Sequence, residues 1–300
     1  MKLNVGIVGF GNIGKIHYRI YKQINQIKKI YIVDTDRKKI AYFKDDALSD
    51  YKKLLGKVDL VSIAAPTPVH FEISKFFLGN RIPVLVEKPL TSSLTEANKL
   101  ISLSTMTKTL LFAGHVERYN SAYLAIRKLI RQPKFIECHR LSPYPQRSLD
   151  VSVVLDLMIH DLDIILDIVR DKVKKIEATG IKVLSGHHDI ANVRITFQKG
   201  CITNITASRV SREKIRKIRV FFLNHYISLD YANQEAEIYK KVRNKIIMES
   251  LKINKEEPLR KEIEEFVKLA KHNIFQIESA LSAKRALELA VKIQKIINRQ

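Results

Sequence analysis

The apolar positions of roughly the first 116 residues fall into short, nearly continuous runs, at 3–10, 30–33, 59–65, 82–86 and 110–114. A strand covered on both faces needs apolar residues at consecutive positions, not alternate ones. Longer stretches of helical character lie between the runs, ending near Gln26 and spanning about 69–79 and 94–104. Strand and helix alternating in this way predict βαβ units with right-handed crossovers, and so a doubly wound parallel sheet.

The pattern changes after residue 117. Segments 121–131 and 151–169 read as helices. From residue 176 polar and apolar positions alternate, most clearly at 192–197 and 201–207, with Gln198-Lys199-Gly200 as a hairpin turn between them. Further strands are expected at 215–223, 226–231 and 236–242, and helix from 259 to 299. The fold class expected is α/β. An N-terminal Rossmann doubly wound parallel sheet (residues 1–117) precedes a C-terminal α/β domain (118–300) with an open, largely antiparallel sheet.

Charge changes this picture little. The formal net charge is +22 over 300 residues. Successive hundreds carry +8, +5 and +9, so no basic arm stands out. A nucleic-acid protein concentrates its cations on one face or tail, so no nucleic-acid partner is expected. A compositional bias toward Lys is the plainest reading of the excess, and an anionic substrate drawn by a positive field is the sharper alternative. No stretch approaches the ~20 apolar residues that a membrane-spanning helix takes, and the N-terminus lacks a signal-peptide pattern. Cys138 and Cys201 are far apart and form no ligand-spaced pair, which suits a reducing cytoplasm.

Four groups carry chemistry. Gly9-Phe10-Gly11-Asn12-Ile13-Gly14 links the first strand to the first helix, and Asp34 ends the next strand, 20 residues past Gly14. Gly9 permits the turn, Gly11 admits a pyrophosphate and Gly14 lets helix and strand close together. Asn12 and Ile13 open a helix whose free N–H groups favour anions. Asp34 would accept the adenosine ribose hydroxyls, favouring NAD over NADP, although Arg37 stands near. Pro66-Thr67-Pro68-Val69-His70 follows the third strand, with Pro66, Thr67 and His70 placed for the nicotinamide end; His70 reads equally well as a packing residue. Glu87-Lys88-Pro89 closes the fourth strand. There Glu87 would hold ribose hydroxyls and Lys88 would face the substrate, with the Lys88–Pro89 peptide expected in cis. Asp156 and His160 stand four apart on one helix face, continued by Asp163 and Asp167, as a carboxylate orienting a general base. A core His–Asp pair and a metal site are the alternatives there. His187-His188-Asp189 reads as a turn, and no metal is expected.

These groups, in this order, resemble the Gfo/Idh/MocA family of NAD(P)-dependent oxidoreductases over nearly the whole chain. Residues 189–200 resemble that family's sheet hairpin, and Glu257-Pro258-Leu259 with Glu262 and Phe266 its C-terminal helix start. The resemblance implies a catalytic set of Lys88, Asp156 and His160, and a homodimer or homotetramer formed through the C-terminal sheet. Ser152-Val153-Val154 stands where the common pattern has a glycine pair. Segments 114–120, 150–161 and 208–217 are similar to the branch that oxidises the 3-hydroxyl of UDP-N-acetylglucosamine ahead of amination in some lipid A pathways. That similarity implies a nucleotide-sugar substrate met by Arg118, Tyr119, Asn120, Asp156 and Arg209, with Arg209 opening a basic segment suited to a diphosphate. The open alternatives are a dehydrogenase of a free sugar or inositol, and an NAD-binding sensor without turnover.

Overall fold

The computed structural model describes residues 2–144 and 151–300. It divides into two compact units, Met1–His115 with Leu259–Lys284, and Val116–Pro258 with Arg285–Gln300.

In the first unit the chain runs through β1 (Leu3–Val8), α1 (Asn12–Tyr21), β2 (Ile27–Val33), α2 (Arg37–Ile40), β3 (Ala47–Leu48) and β4 (Leu60–Ile63). It continues through α3 (His70–Gly79), β5 (Val84–Glu87), α4 (Leu94–Thr107) and β6 (Leu111–Gly114). The sheet order is β3-β2-β1-β4-β5-β6 and every pair is parallel. The order reverses between β1 and β4, the switch point at which open α/β sheets bind dinucleotides. The apolar runs have their cause here. Val5, Ile7, Leu60, Val61, Ile63, Val84, Leu85 and Val86 are all sealed from solvent. Ser93 caps α4, its hydroxyl accepting the Glu96 N–H, a favoured N-cap geometry.

The second unit holds α5 (Ser121–Arg127), β7 (Phe135–Leu141), α6 (Ile159–Val169), β8 (Val173–Ile181), β9 (Ile190–Phe197) and β10 (Ile202–Ser208). After these come β11 (Ile215–Phe221), β12 (His225–Asp230), β13 (Glu235–Val242) and β14 (Lys245–Ser250). The sheet order is β14-β13-β12-β11-β7-β10-β9-β8. Only the β7–β10 pair is parallel. One face lies over a core that includes Ile136, Val193, Ile195, Phe197, Ile205, Leu162 and Ile165.

The chain ends in α7 (Pro258–Lys271) and α8 (Glu278–Ile297). Residues 259–284, expected in the second domain, group with the first unit. The reason is local packing: the Phe266 ring lies 5.7 Å from that of Phe112, and the Ala113 N–H donates to Ser279 Oγ at 2.9 Å.

Three differences from expectation fall in the second unit. β7 went unread because its inward positions carry Cys138 and Arg140, and a buried cation breaks the apolar period. β14 has no period at all, being exposed along its length. The helix expected at 151–169 opens with a wider π turn at Val154–Met158 before α6. Such turns recur at functional sites.

Candidate active site

The glycine turn follows from steric limits at two positions. Gly9 has φ +95, and a Cβ there would lie 2.6 Å from Ala65 N. A Cβ on Gly14 would fall 2.0 Å from the Gly9 carbonyl oxygen. Gly11 is different, since a Cβ there would meet nothing within 4 Å among the described residues. Packing does not demand glycine at that position, whereas close approach of a ligand does. Gly11 is also the N-cap of α1, where no side chain caps the helix and the first turn holds no acid. The N–H groups that open the helix at Asn12 and Ile13, both exposed, therefore suit a diphosphate. The residues present fit a dinucleotide.

Asp34 follows the last residue of β2. Its Oδ2 accepts the Phe10 N–H at 2.8 Å and its Oδ1 the Asp36 N–H at 2.9 Å. The carboxylate thus ties the glycine turn to the neighbouring strand end and keeps lone pairs for ribose hydroxyls. Lys39 Nζ stands 3.8 Å from Oδ1.

Pro66 and Thr67 lie in the short turn before α3, Pro66 exposed and Thr67 half-buried. His70 is buried, with Nε2 2.8 Å from the Ala65 carbonyl and Nδ1 3.0 Å from that of Pro89. Burial pulls its pKa down despite those two carbonyls. Of the two roles open to it, these contacts favour packing: His70 braces two loops. The Lys88–Pro89 peptide is cis, as expected. Lys88 is half-buried.

Glu87 ends β5. Its Oε1 lies 2.9 Å from His17 Nε2, and His17 Nδ1 lies 2.8 Å from Ser62 Oγ. Burial would raise the Glu87 pKa, but the His17 hydrogen bond and the nearby positive charges outweigh it and hold the carboxyl below its ordinary value. Sequence reading missed His17 and Ser62. The signal was available, because a histidine and a serine at otherwise apolar, inward positions of α1 and β4 need partners.

In the second unit Asp156 and His160 are half-buried, Asp156 within the π turn and His160 in the first turn of α6. Arg118 grips Asp163 with Nε at 2.6 Å and Nη2 at 2.9 Å, and reaches Asp167 at 3.5 Å. Arg127 and the Tyr123 hydroxyl also bond Asp167. Arg118, expected to meet substrate, thus spends its fork on α6. Asn120 is buried too: its Oδ1 caps α5 through the Ala122 N–H, and its Nδ2 donates to the Tyr231 carbonyl. That corrects its expected substrate role. Tyr119 is half-buried.

Arg209 is the largest correction. It is wholly buried, with Nε 2.8 Å from Asp189 Oδ1, Nη1 2.8 Å from the Val151 carbonyl and Nη2 2.9 Å from Ser185 Oγ. Asp189 also takes the N–H groups of Val183, Leu184 and Ser185. Burial would raise this carboxyl, yet the Ser185 hydroxyl, those N–H groups and Arg209 hold it far below the usual range. The pair folds the 182–189 turn, and these contacts occupy the guanidinium expected to meet a diphosphate. Among the described residues no group of three or more His, Cys, Asp or Glu is arranged to hold a metal. Nor is any helix long and apolar enough to cross a membrane. Asp150, part of one resembling segment, lies outside the described residues.

A second buried cation sits nearby in the same sheet. Arg140 is held bidentately by Asp161 at 2.8 and 2.9 Å and by Glu117 at 2.9 Å. Arg216 stands directly opposite it on β11. Arg216 is half-buried, and its side chain makes no hydrogen bond or ion pair among the described residues. Burial and the charge of Arg140 pull its pKa down.

Residues 3–115 match the oxidoreductase family with an NAD-binding Rossmann fold, and residues 124–226 the GFO/IDH/MocA C-terminal domain. A UDP-N-acetylglucosamine 3-dehydrogenase of Acidithiobacillus ferrooxidans is 30% identical over 306 residues, covering 97% of this chain and 96% of that one. The chain belongs to the Gfo/Idh/MocA family of oxidoreductases. A solved structure of that A. ferrooxidans protein superposes with a TM-score of 0.92 at 28% identity, covering 100% of this chain and 98% of its own. A Thermotoga maritima myo-inositol 2-dehydrogenase is 25% identical over 229 residues, 69% of each chain. The protein is therefore an oxidoreductase of CH–OH groups that uses a nicotinamide cofactor.

Proposed function

We propose that this protein oxidises the C3 hydroxyl of UDP-N-acetylglucosamine with NAD, giving the 3-keto sugar. One observation carries the reading. Similarity to the A. ferrooxidans enzyme covers 97% of the chain, whereas similarity to the inositol dehydrogenase covers 69% of it. Arg216 supports it, as a half-buried guanidinium with donors to spare for a diphosphate.

The nicotinamide supplies the hydride acceptor when bound. The glycine turn and the start of α1 take the diphosphate, and Asp34 takes the adenosine ribose. A carboxylate there opposes a 2′-phosphate, which favours NAD over NADP. His160 takes the substrate hydroxyl proton as general base. Asp156 orients the imidazole and stabilises its charged form. Lys88 donates a hydrogen bond to the developing alkoxide. Glu87 holds a ribose on the nicotinamide side.

A second copy of the chain would cover the open face of the second sheet. Phe135, Phe221 and Tyr226 form a row across it, with ring centroids 5.6 and 5.2 Å apart, and Tyr239 stacks on Tyr226 at 4.4 Å. The row is half-buried. Size measured in solution for wild type and Tyr226→Glu tests this: a dimer or tetramer that the substitution splits supports it, and a wild-type monomer overturns it.

The activity is tested with UDP-N-acetylglucosamine, other UDP-sugars, free N-acetylglucosamine and myo-inositol, following reduced cofactor at 340 nm. An aminotransferase traps any ketone.

A further inference from the structure

His17 is a buried titratable side chain to which the proposed chemistry gives no role. It lies on α1, one turn beyond the glycine loop, and is wholly sealed from solvent. Its two ring nitrogens join strands on one side of the switch point: Nδ1 to Ser62 of β4 at 2.8 Å and Nε2 to Glu87 of β5 at 2.9 Å. The Tyr21 hydroxyl donates to Ser62 Oγ at 3.2 Å.

The donor and acceptor roles at the imidazole depend on its tautomer, and the assignment that gives every group a partner is the neutral one. An ionised carboxylate only accepts, so His17 Nε2 carries a hydrogen toward Glu87. Ser62 accepts from Tyr21, which leaves its own O–H to donate to an unprotonated Nδ1. Tyr21, Ser62, His17 and Glu87 thus form a one-way chain that ends on Glu87 Oε1. The other oxygen, Oε2, is left as the acceptor. A Cβ on Gly114 would stand 3.3 Å from Oε2 and the same distance from Glu87 Cα. Glycine at 114 therefore leaves that carboxylate its space.

Sheet order says which part of the dinucleotide Oε2 serves. Asp34 follows β2 on one side of the β1–β4 switch point and Glu87 ends β5 on the other. A dinucleotide lies across that point, with its two halves on opposite sides. With Asp34 serving the adenosine half, Glu87 faces the other. We infer that His17 is a positioning residue that fixes the Glu87 carboxylate so that Oε2 receives a hydroxyl of the nicotinamide-side ribose. The inference rests on dinucleotide binding by this unit and not on the identity of the sugar substrate.

The test is a double-mutant cycle read by ligand affinity. NADH and ADP are titrated separately into wild type, His17→Ala, Glu87→Gln and the double variant, with thermal midpoints measured alongside. Glu87→Gln and His17→Ala should each weaken NADH about tenfold to a hundredfold, the range for a lost hydrogen bond to a charged group. The double variant should be no weaker than Glu87→Gln alone, and ADP affinity should stay within about twofold throughout. His17→Gln, which keeps an N–H donor, should recover most of the NADH affinity. Equal losses for NADH and ADP, or additive losses in the double variant, would overturn the inference and make His17 a packing residue. If His17→Ala does not fold, Ser62→Ala takes its place in the cycle with the same two outcomes. Failure of wild type to bind NADH would instead remove the dinucleotide reading itself, a result distinct from either.

Discussion

The two units use buried charge in opposite ways. In the first, the charged side chains at strand ends, Asp34 and Glu87, are held by backbone N–H groups or a histidine and keep acceptor lone pairs. In the second, Arg209 with Asp189 and Arg140 with Asp161 and Glu117 are closed on themselves and hold loops and helix to the sheet. A charged residue in a motif is thus no guide to function until its partners are known. A carboxylate that accepts from the backbone still has lone pairs to offer, while a guanidinium gripped on both sides has little left.

The largest effect should come from the proton-transfer groups. Lys88→Ala and His160→Ala should each cut turnover by about 10²–10⁴ while NADH affinity, measured by fluorescence, changes only a few-fold. Wild-type turnover in both would remove them from the mechanism.

The closed pairs should answer in stability instead. Asp189→Asn leaves Arg209 buried without its carboxylate and should cost about 3–5 kcal/mol in urea unfolding. The folded-state pKa of Asp189 is depressed, so its contribution is present above the unfolded value and is lost as pH falls through the folded one. Wild type should therefore lose stability below about pH 4, and the variant should lose less over that range. A raised KM for sugar nucleotide at unchanged stability would return Arg209 to the substrate and erase the contrast between the units.

Arg216 sharpens the comparison as the exception in the second unit. Arg216→Ala should raise the KM for a UDP-sugar about tenfold to a hundredfold, leaving NADH affinity and stability nearly as they were. Stability lost with KM unchanged would make it one more closed cation. The smallest effect concerns the thiols. Burial raises Cys138 well above its ordinary range and pushes Cys201 up to about 11. Neither should react with iodoacetamide at pH 7.5 in the native protein, as mass spectrometry can check.

The parallel sheet, the cofactor turn and the order of the motifs were legible in sequence because each rests on local rules. Apolar runs mark strands covered on both faces, and Gly9 and Gly14 mark backbone positions where a side chain cannot fit. β7 and the role of Arg209 were not legible, because both depend on pairing across distant segments. Arg140 hides a strand from any hydrophobic period, and Arg209 reads as a surface cation until Asp189, 20 residues earlier, is folded against it. His17 falls between these cases. Its inward place on α1 could be read from sequence, but its partner Glu87 is 70 residues away.

The proposed activity depends on the substrate being a UDP-sugar. Purified protein with NAD and UDP-N-acetylglucosamine should raise absorbance at 340 nm, and an aminotransferase should capture a 3-keto sugar. Free N-acetylglucosamine and myo-inositol should give no signal under the same conditions. Oxidation of myo-inositol or a free sugar in preference to every UDP-sugar would contradict it.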